Sequence, residues 1–332
     1  MTEPRLLTVL LNYRTADMTM KAAQSTVTAM QGLDAEMVIV DNDSGDGSFE
    51  ALTDFVAAQG WPHVRVAASG QNGGFGAGNN FGVQAGRADG QRPDYVYFLN
   101  SDAFPAPDAI RLLMDTLEAK PMAGIAGSHI HGPEGDAHIT AFRFPSIASE
   151  FEHAMRFGPV SKLLANKRVP MDLPIRTFPV DWLAGASMMI RQDVIDEIGL
   201  FDEAFFLYFE ETDLCLRAFR AGWETLYDPE SRVAHIGSVS TGMKTWERIP
   251  GFWLDSRWHY FTKNHGTLYA AAATAVHAIG GALYRLRARV QRKPRVDPEH
   301  FLRDLISHDL RALVSRKPAS PQPAAHPHRR PL

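Results

Sequence analysis

RLLTVLLNYRTADMTMKAAQSTVTAMQGLDAEMVIVDND, residues 5–43, decides the fold. Residues 6–11 and 37–40 are short apolar runs rich in Val, Ile and Leu, and residues 17–31 between them suit a helix. Uninterrupted apolar runs of this length fit strands buried on both faces, so the stretch reads as β-α-β. The pattern continues outward. A helix over 48–59 leads to a strand over 64–67, a helix over 79–87 to a strand over 95–99, and a helix over 108–120 precedes a strand over 125–128. Strands alternating with helices predict an α/β fold built on a mostly parallel, doubly wound sheet. Ligands of such sheets sit at the carboxyl ends of the strands.

Polar residues collect at those ends. The first strand runs out at Asn12-Tyr13, the second at Asp41-Asn42-Asp43 and the fourth at Asn100-Ser101-Asp102. Each alone reads as an Asx turn leaving a strand. Three on one rim form a binding edge. Residues 71–80, QNGGFGAGNN, are Gly-rich and open a helix, which first suggests phosphate cradling. No GxGxxG follows the first strand and no Gly-Lys-Ser/Thr is present, so neither a dinucleotide fingerprint nor a P-loop is there. The glycines permit close approach of backbone to a ligand, and a flexible turn accounts for them equally. Asp102 is suited to a divalent cation shared with substrate phosphates. His235, in VAHIG (233–237), is a candidate second ligand.

A further cluster lies in FDEAFFLYFEETDLCLRAFRAGW, residues 201–223. Leu214, Leu216, Ala218 and Ala221 predict a packed helix that stops at Gly222, with Glu210, Glu211 and Asp213 in its first turn. Acids there are favoured by the helix dipole. Flanked by Phe205, Phe206, Tyr208 and Phe209, they equally suit a buried general base tuned by desolvation and like charge. Cys215, the one cysteine, falls in the apolar rhythm and reads as a buried structural thiol. A lone cysteine excludes an intramolecular disulfide and a Cys-based zinc cluster, and fits a reducing compartment.

The 332 residues, 45% hydrophobic and 22% charged, can bury one large domain or two modest ones. Net charge is −4, yet residues 285–332 hold 12 Lys and Arg against 4 Asp and Glu, leaving 22 against 34 for the rest. The acidic body argues against a nucleic-acid enzyme, and the basic tail argues for an anionic surface. The N-terminal apolar run is too short for a signal peptide or spanning helix, which predicts a cytoplasmic body. Residues 129–179 show no clean periodicity and read as excursions over the site. Residues 266–284 carry no Lys, Arg, Asp or Glu but are mostly Ala with Gly, Thr and His. That composition is weak for a spanning helix and better for one at an interface. The cations that follow, Arg285, Arg287, Arg289, Arg292, Lys293 and Arg295, favour anionic head groups, and a packed helix with a solvated basic end fits as well.

The set VDNDSGDGS (40–48), NGGFGAGNN (72–80), FLNSDA (98–103), WLAGASMMIR (182–191), residues 199–223 and AHIGSVST (234–241) resembles the inverting, GT-A-fold family 2 glycosyltransferases. The likeness is to their rhamnosyltransferase-like and galactofuranosyltransferase-like branch and spans about residues 5–265. It implies a Rossmann-like, mostly parallel sheet flanked by helices, with a donor half at 1–128 and an acceptor and catalytic half at 129–265. Beyond these lie a helical, membrane-associating or simply packed extension at 266–313 and a disordered Pro-rich tail at 314–332. It further implies a nucleotide-sugar donor and a glycan or lipid-linked glycan acceptor. Asp41 then contacts the base, with Asn12, Asn42, Asn72, Gly74, Phe75, Gly78, Asn79, Asn100 and Ser101 around the donor. Mn²⁺ or Mg²⁺ is held by Asp102, the last acid of the family's Asp-x-Asp motif, together with His235. Trp182, Gly185 and Ala186 face the acceptor. Glu211 takes the place of the catalytic base in the family's Glu-Asp-x-Asp pattern. Asn100 replaces the first Asp of the metal motif and Glu211 stands where Asp is usual, so Glu210 and Asp213 remain alternatives for the base. A nucleotidyltransferase and a non-catalytic nucleotide-sugar-binding module are the rival readings, and a homo-oligomer is compatible with either.

Overall fold

A computed structural model describes residues 3–237, 246–294 and 296–315. Residues 238–241 of the AHIGSVST motif, Arg295 of the basic run and the tail from 316 lie outside the described residues. The first half alternates as the sequence predicts: β1 (Arg5–Asn12), α1 (Ala16–Ala29), β2 (Asp34–Asp41), α2 (Ser48–Gln59), β3 (Val64–Ala68), α3 (Phe75–Ala85), β4 (Tyr95–Asn100), β5 (Ala103–Pro105), α4 (Ala109–Ala119) and β6 (Ala123–His131). The second half is less regular: β7 (Ala141–Phe142), α5 (Ile147–Met155), α6 (Gly158–Leu163), β8 (Phe178–Val180), β9 (Trp182–Leu183), β10 (Ser187–Arg191), α7 (Gln192–Ile198), α8 (Glu210–Arg220) and β11 (Glu224–His235). Three helices follow, α9 (Gly251–His265), α10 (Thr267–Val290) and α11 (Phe301–Ser315).

The main sheet has the order β3-β2-β1-β4-β10-β6-β11-β5, with β8 beside β11. Strands β3, β2, β1, β4, β6 and β11 point the same way, while β10 runs opposite between β4 and β6. Side chains alternate between two cores. Leu6, Leu10, Met37, Ile39, Tyr95 and Tyr97 meet α1, α2 and α4 on one face. Leu7, Val9, Val38, Val40, Val96 and Phe98 meet α7 and α8 on the other. Burial on both faces is why these strands read as continuous apolar runs rather than alternating ones. Strand β11 pairs with β8 near its start and, past an irregularity between Asp228 and Arg232, with β5, setting His235 opposite Ala103.

Two local expectations shift. Helix α3 begins at Phe75, inside the glycine run, rather than at residue 79. Gly74 has φ of 93°, and a Cβ there would lie 1.9 Å from the carbonyl oxygen of Phe206. That carbonyl accepts from the Phe75 amide at 3.0 Å, which satisfies one of the helix's free N–H groups and lets it start early. Within residues 129–179 the structure places α5, capped by a reciprocal Ser146–Ser149 box.

The C-terminal helices are packed against the body. A Cβ on Gly280 would sit 3.0 Å from Ala154 of α5, and one on Gly281 would sit 2.8 Å from Leu302 of α11, so small residues bring three helices close. Arg257, 1% exposed, ties them through Glu150 at 2.7 Å and Asp309 at 3.1 Å. His277 Nδ1 lies 2.8 Å from the same Glu150 carboxylate. Burial opposes the charge of Glu150, but the Arg257 guanidinium and His277 together outweigh it and hold the carboxyl at about 2.

Removing one partner of such a buried set strands the others, so Arg257→Ala should cost about 3–5 kcal/mol in a urea denaturation. A carboxyl whose folded pKa is depressed stabilises fully above its ordinary value of 4.5. Stability should therefore fall as pH drops from 4.5 toward about 2, and the fall should be smaller in Glu150→Gln, as read by thermal denaturation across that range.

Candidate active site

The sheet brings the three polar strand ends together through one residue. Asn12, at the end of β1 and fully buried, donates from Nδ2 to Asp41 Oδ1 at 2.7 Å and to Ser44 Oγ at 3.2 Å. Its Oδ1 accepts from Thr19 at 2.7 Å and lies 3.2 Å from the Thr15 hydroxyl, which is 2.9 Å from the Ser101 hydroxyl. Asp41 also accepts from the Ser44 hydroxyl at 2.6 Å and its amide at 3.1 Å, so Asp41 shapes the loop after β2. A cleft opens beside it, lined by Asp41, Asp43, Gly45, Ser48 and Gly70 among others.

The glycine run packs rather than wraps. Asn42 Nδ2 donates to Asn72 Oδ1 and to the Gly74 carbonyl, both at 3.1 Å, fixing the entry to α3. A Cβ on Gly78 would lie 2.5 Å from Leu11 and 3.1 Å from Asn42, so this glycine lets the helix lie against β1 and β2. Asn79 is buried and donates to the Phe75 carbonyl at 3.0 Å. The Phe75 ring stands over Gly185 instead, within 3.2 Å of where a Cβ there would be.

Asp102 follows β4, and the pairing of β5 with β11 presents His235 to it. His235 Nε2 lies 3.0 Å from Asp102 Oδ1, and the Gly237 amide donates to Oδ2 at 3.1 Å. Burial works against the Asp102 charge, yet His235 and the Gly237 amide hold its carboxyl below the usual carboxylate range. The donor set fits a divalent cation. Two ligands at right angles about an ion bound at roughly 2.1 Å stand about 3 Å apart. No group of three or more His, Cys, Asp or Glu side chains suited to a metal occurs among the described residues, so remaining positions would fall to water and substrate phosphate oxygens.

The acidic cluster divides. Tyr208 and Phe209 both adopt left-handed backbone, with φ of 70° and 72°, a costly turn for bulky residues that aims the chain into α8. Glu211 reaches a cavity of about 400 Å³ lined by Trp182, Tyr208, Phe209, Trp253 and Phe301, among others. Its Oε1 accepts from the Gly185 amide at 3.4 Å, while Oε2 is buried without a hydrogen-bond partner among the described residues. Glu210 is 2% exposed, and its Oε2 has none there either. Burial, then the Glu211 charge, pushes Glu210 well up, and burial pushes Glu211 up. Two adjacent carboxyls in one apolar site do not both ionise easily. Of the two, Glu211 lines the cavity and Glu210 does not.

Asp213 does not join them. Fully buried, it accepts from Arg217 and Lys263, each at 2.8 Å, and from Asn264 at 2.9 Å, which fastens α8 to α9. The geometry removes it from the candidates for the base, because no oxygen faces the cavity. Cys215 is buried, and burial pushes its thiol up to about 12.

Trp182 stacks on Phe142 at 4.2 Å and donates to the Arg143 carbonyl at 2.9 Å, which holds its ring in the cavity wall. Ala186 is core rather than cavity, but its carbonyl accepts from the Asn100 amide at 3.1 Å. The neighbours Gly185 and Ala186 thus link the Glu211 carboxylate to the strand end that precedes Asp102. Sequence reasoning missed the cavity's far wall: Glu150 and Glu152 of α5, Trp253 of α9, His277 of α10 and Phe301 of α11. The Ser146–Ser149 spacing could have revealed α5, and a histidine in the uncharged stretch 266–284 could have flagged α10.

Residues 17–198 match the family model described as Glycosyl transferase family 2. Over 216 residues the chain is 33% identical to an N-acetylglucosaminyl-diphospho-decaprenol L-rhamnosyltransferase of Mycobacterium tuberculosis, covering 62% of this chain and 68% of that protein. Over 165 residues it is 29% identical to rhamnosyltransferase WbbL of Escherichia coli, covering 49% and 60%. Among solved structures it is similar to a mannosyltransferase from Pyrobaculum calidifontis in complex with GDP-Man and Mn²⁺. That match has a TM-score of 0.52 and 14% identity over 95% of this chain and 87% of the other. S. aureus TarS matches with a TM-score of 0.54 and 13% identity, covering 94% and 82%. These structural likenesses show the GT-A fold. With a family match over more than half of its length and rhamnosyltransferases among its relatives, the chain belongs to glycosyl transferase family 2 and is a glycosyltransferase.

Proposed function

We propose that this enzyme transfers rhamnose or a galactofuranose-like sugar, with inversion, from a dTDP- or UDP-activated donor to a hydroxyl of a glycan or lipid-linked glycan in cell-surface polysaccharide synthesis. The observation that carries the reading is the Glu211 carboxylate, desolvated in an aromatic cavity and joined through Gly185-Ala186 to the strand end before Asp102. Residues 1–128 bind the donor, and 129–265, with the helices after them, bind the acceptor. The relative in M. tuberculosis is named for a decaprenol-diphosphate-linked sugar, which supports a lipid-linked acceptor.

In this mechanism Asn12 and Asp41 order the loop that meets the nucleotide, and Asn42 and Asn72 fix the start of α3. Asp102 and His235 would hold Mn²⁺ or Mg²⁺, which when bound neutralises charge developing on the leaving diphosphate. Trp182 and its aromatic neighbours seat the acceptor ring and exclude water. Glu211 takes the proton of the attacking hydroxyl. Glu210, buried beside it, does not line the cavity and leaves the proton transfer to Glu211. A single displacement inverts the anomeric centre, so no enzyme nucleophile is needed.

Glu211→Gln should lower kcat by about 10²–10⁴-fold with donor binding unchanged in a calorimetric titration. Glu210→Gln leaves the cavity carboxylate in place and should keep most activity at neutral pH. Equal losses in both variants would overturn the division of roles. Because burial raises Glu211 above 4.5, kcat/KM should fall on the acid side through a pKa above that value, and this acid limb should vanish in Glu211→Gln.

For the cation, dTDP or UDP with Mn²⁺ should raise the melting temperature more than either alone, since each ligand adds its own mass-action term and the diphosphate couples them. Asp102→Ala should abolish the extra rise, and a chelator should do the same to the unaltered enzyme. An undiminished rise in Asp102→Ala would remove Asp102 from the cation site.

A further inference from the structure

One helix face has no partner among the described residues. On α10 the residues Ile279, Leu283, Leu286 and Val290 follow the i, i+4, i+7, i+11 spacing of a single stripe and are 56%, 45%, 62% and 75% exposed. The opposite side of the helix, including His277, Gly280, Gly281, Tyr284 and Ala288, is buried. Beside the stripe lies the segment that follows α5. Arg287 of α10 donates to the carbonyls of Met155 and Arg156 and stands 4.9 Å over the Phe157 ring. Phe157 and, farther along, Leu163 of α6 are 40% and 81% exposed. The two segments therefore present apolar side chains next to one another.

Their charge is of one sign. Residues 153–171 contain Arg156, Lys162, Lys167 and Arg168 and no Asp or Glu, and α10 with residues 291–294 contains Arg285, Arg287, Arg289, Arg292 and Lys293 and no Asp or Glu. Asp297 pairs with Arg156 and Arg285, and Glu152 lies 3.9 Å from Arg168. Lys162, Lys167, Arg289, Arg292 and Lys293 have no carboxylate in ion-pair contact among the described residues.

We infer that this α6–α10 face docks on an anionic phospholipid bilayer, with the apolar stripe in the head-group boundary and the unpaired cations on lipid phosphates. Exposed apolar residues bordered by unpaired Lys and Arg match a lipid surface that is negative above and apolar below. A second copy of the chain is disfavoured, because a two-fold contact would set cations against cations. The helix lies on the bilayer, since no helix among the described residues is long and apolar enough to cross one. Arg156, Gly281 and Asp297 line the cavity that holds Glu211, so the docked face adjoins the acceptor cavity. The proposal refines where the enzyme meets its acceptor, and lipid binding itself does not depend on the transfer reaction.

The test is co-sedimentation of the full chain with vesicles of phosphatidylcholine alone or with phosphatidylglycerol added. Binding should need the anionic lipid and weaken with salt. Leu283→Glu with Leu286→Glu, and separately Lys162→Glu with Lys167→Glu, should each lower partitioning by roughly tenfold or more while nucleotide-sugar binding is unchanged. Leu286→Glu alone replaces the first pair if that variant fails to fold. Because residues 316–332 are also basic, a full chain carrying Arg316→Gln, Lys317→Gln, Arg329→Gln and Arg330→Gln should still bind. Binding lost in that variant but kept in the face variants would overturn the proposal. So would equal binding to both vesicle types, no binding at all, or face variants that only dissolve a dimer in sedimentation velocity. Loss of transfer to a soluble acceptor with vesicle binding intact would count against the proposed reaction and leave the docking face standing.

Discussion

The buried middles of β1, β2 and β4 carry no charge, and the site follows from that constraint. Leu6 to Leu11 can only be apolar or internally bonded, so Asn12, Asp41 and Asp102 fall at the exits, all on one edge because the strands are parallel. Asn12 then uses both ends of its amide to tie these exits into a single framework. The binding edge is thus a consequence of how the core is covered.

The one antiparallel strand in the middle of the sheet adds what parallel strands cannot. Its approach through Gly185-Ala186 passes between Asn100 and Glu211, giving one dipeptide hydrogen bonds to the end of β4 and to the acidic helix. A side chain at position 185 would collide with Phe75, so the glycine there answers to packing. Desolvation does the rest. Burial raises both Glu210 and Glu211, and the Glu211 charge adds to the rise of Glu210.

Much of this was legible in residues 5–128. The helix over 48–59 matches residue for residue, and the strands at 64, 95 and 125 lie within a few residues of their expected bounds, because hydrophobic period and burial agree there. Less was legible where tertiary contacts overrule local pattern. Helix α3 starts early because a distant carbonyl, that of Phe206, receives its first amide. For α10 the sequence left an interface helix and a packed one equally open, because its buried side is mostly Ala and Gly, which allow close approach but leave little hydrophobic signature.

The sequence by itself determined the alternating α/β order, the polar strand ends, the acidic helix start and the family likeness, because these depend on residue type and near neighbours. Only the tertiary structure decided that Asp213 belongs to Arg217, Lys263 and Asn264, that Glu211 faces a cavity, and that the last three helices supply part of its wall. Three acids within four residues are nearly equivalent as sequence. They separate by the 100° between successive residues of a helix, which turns one toward cations and another toward an empty, aromatic space.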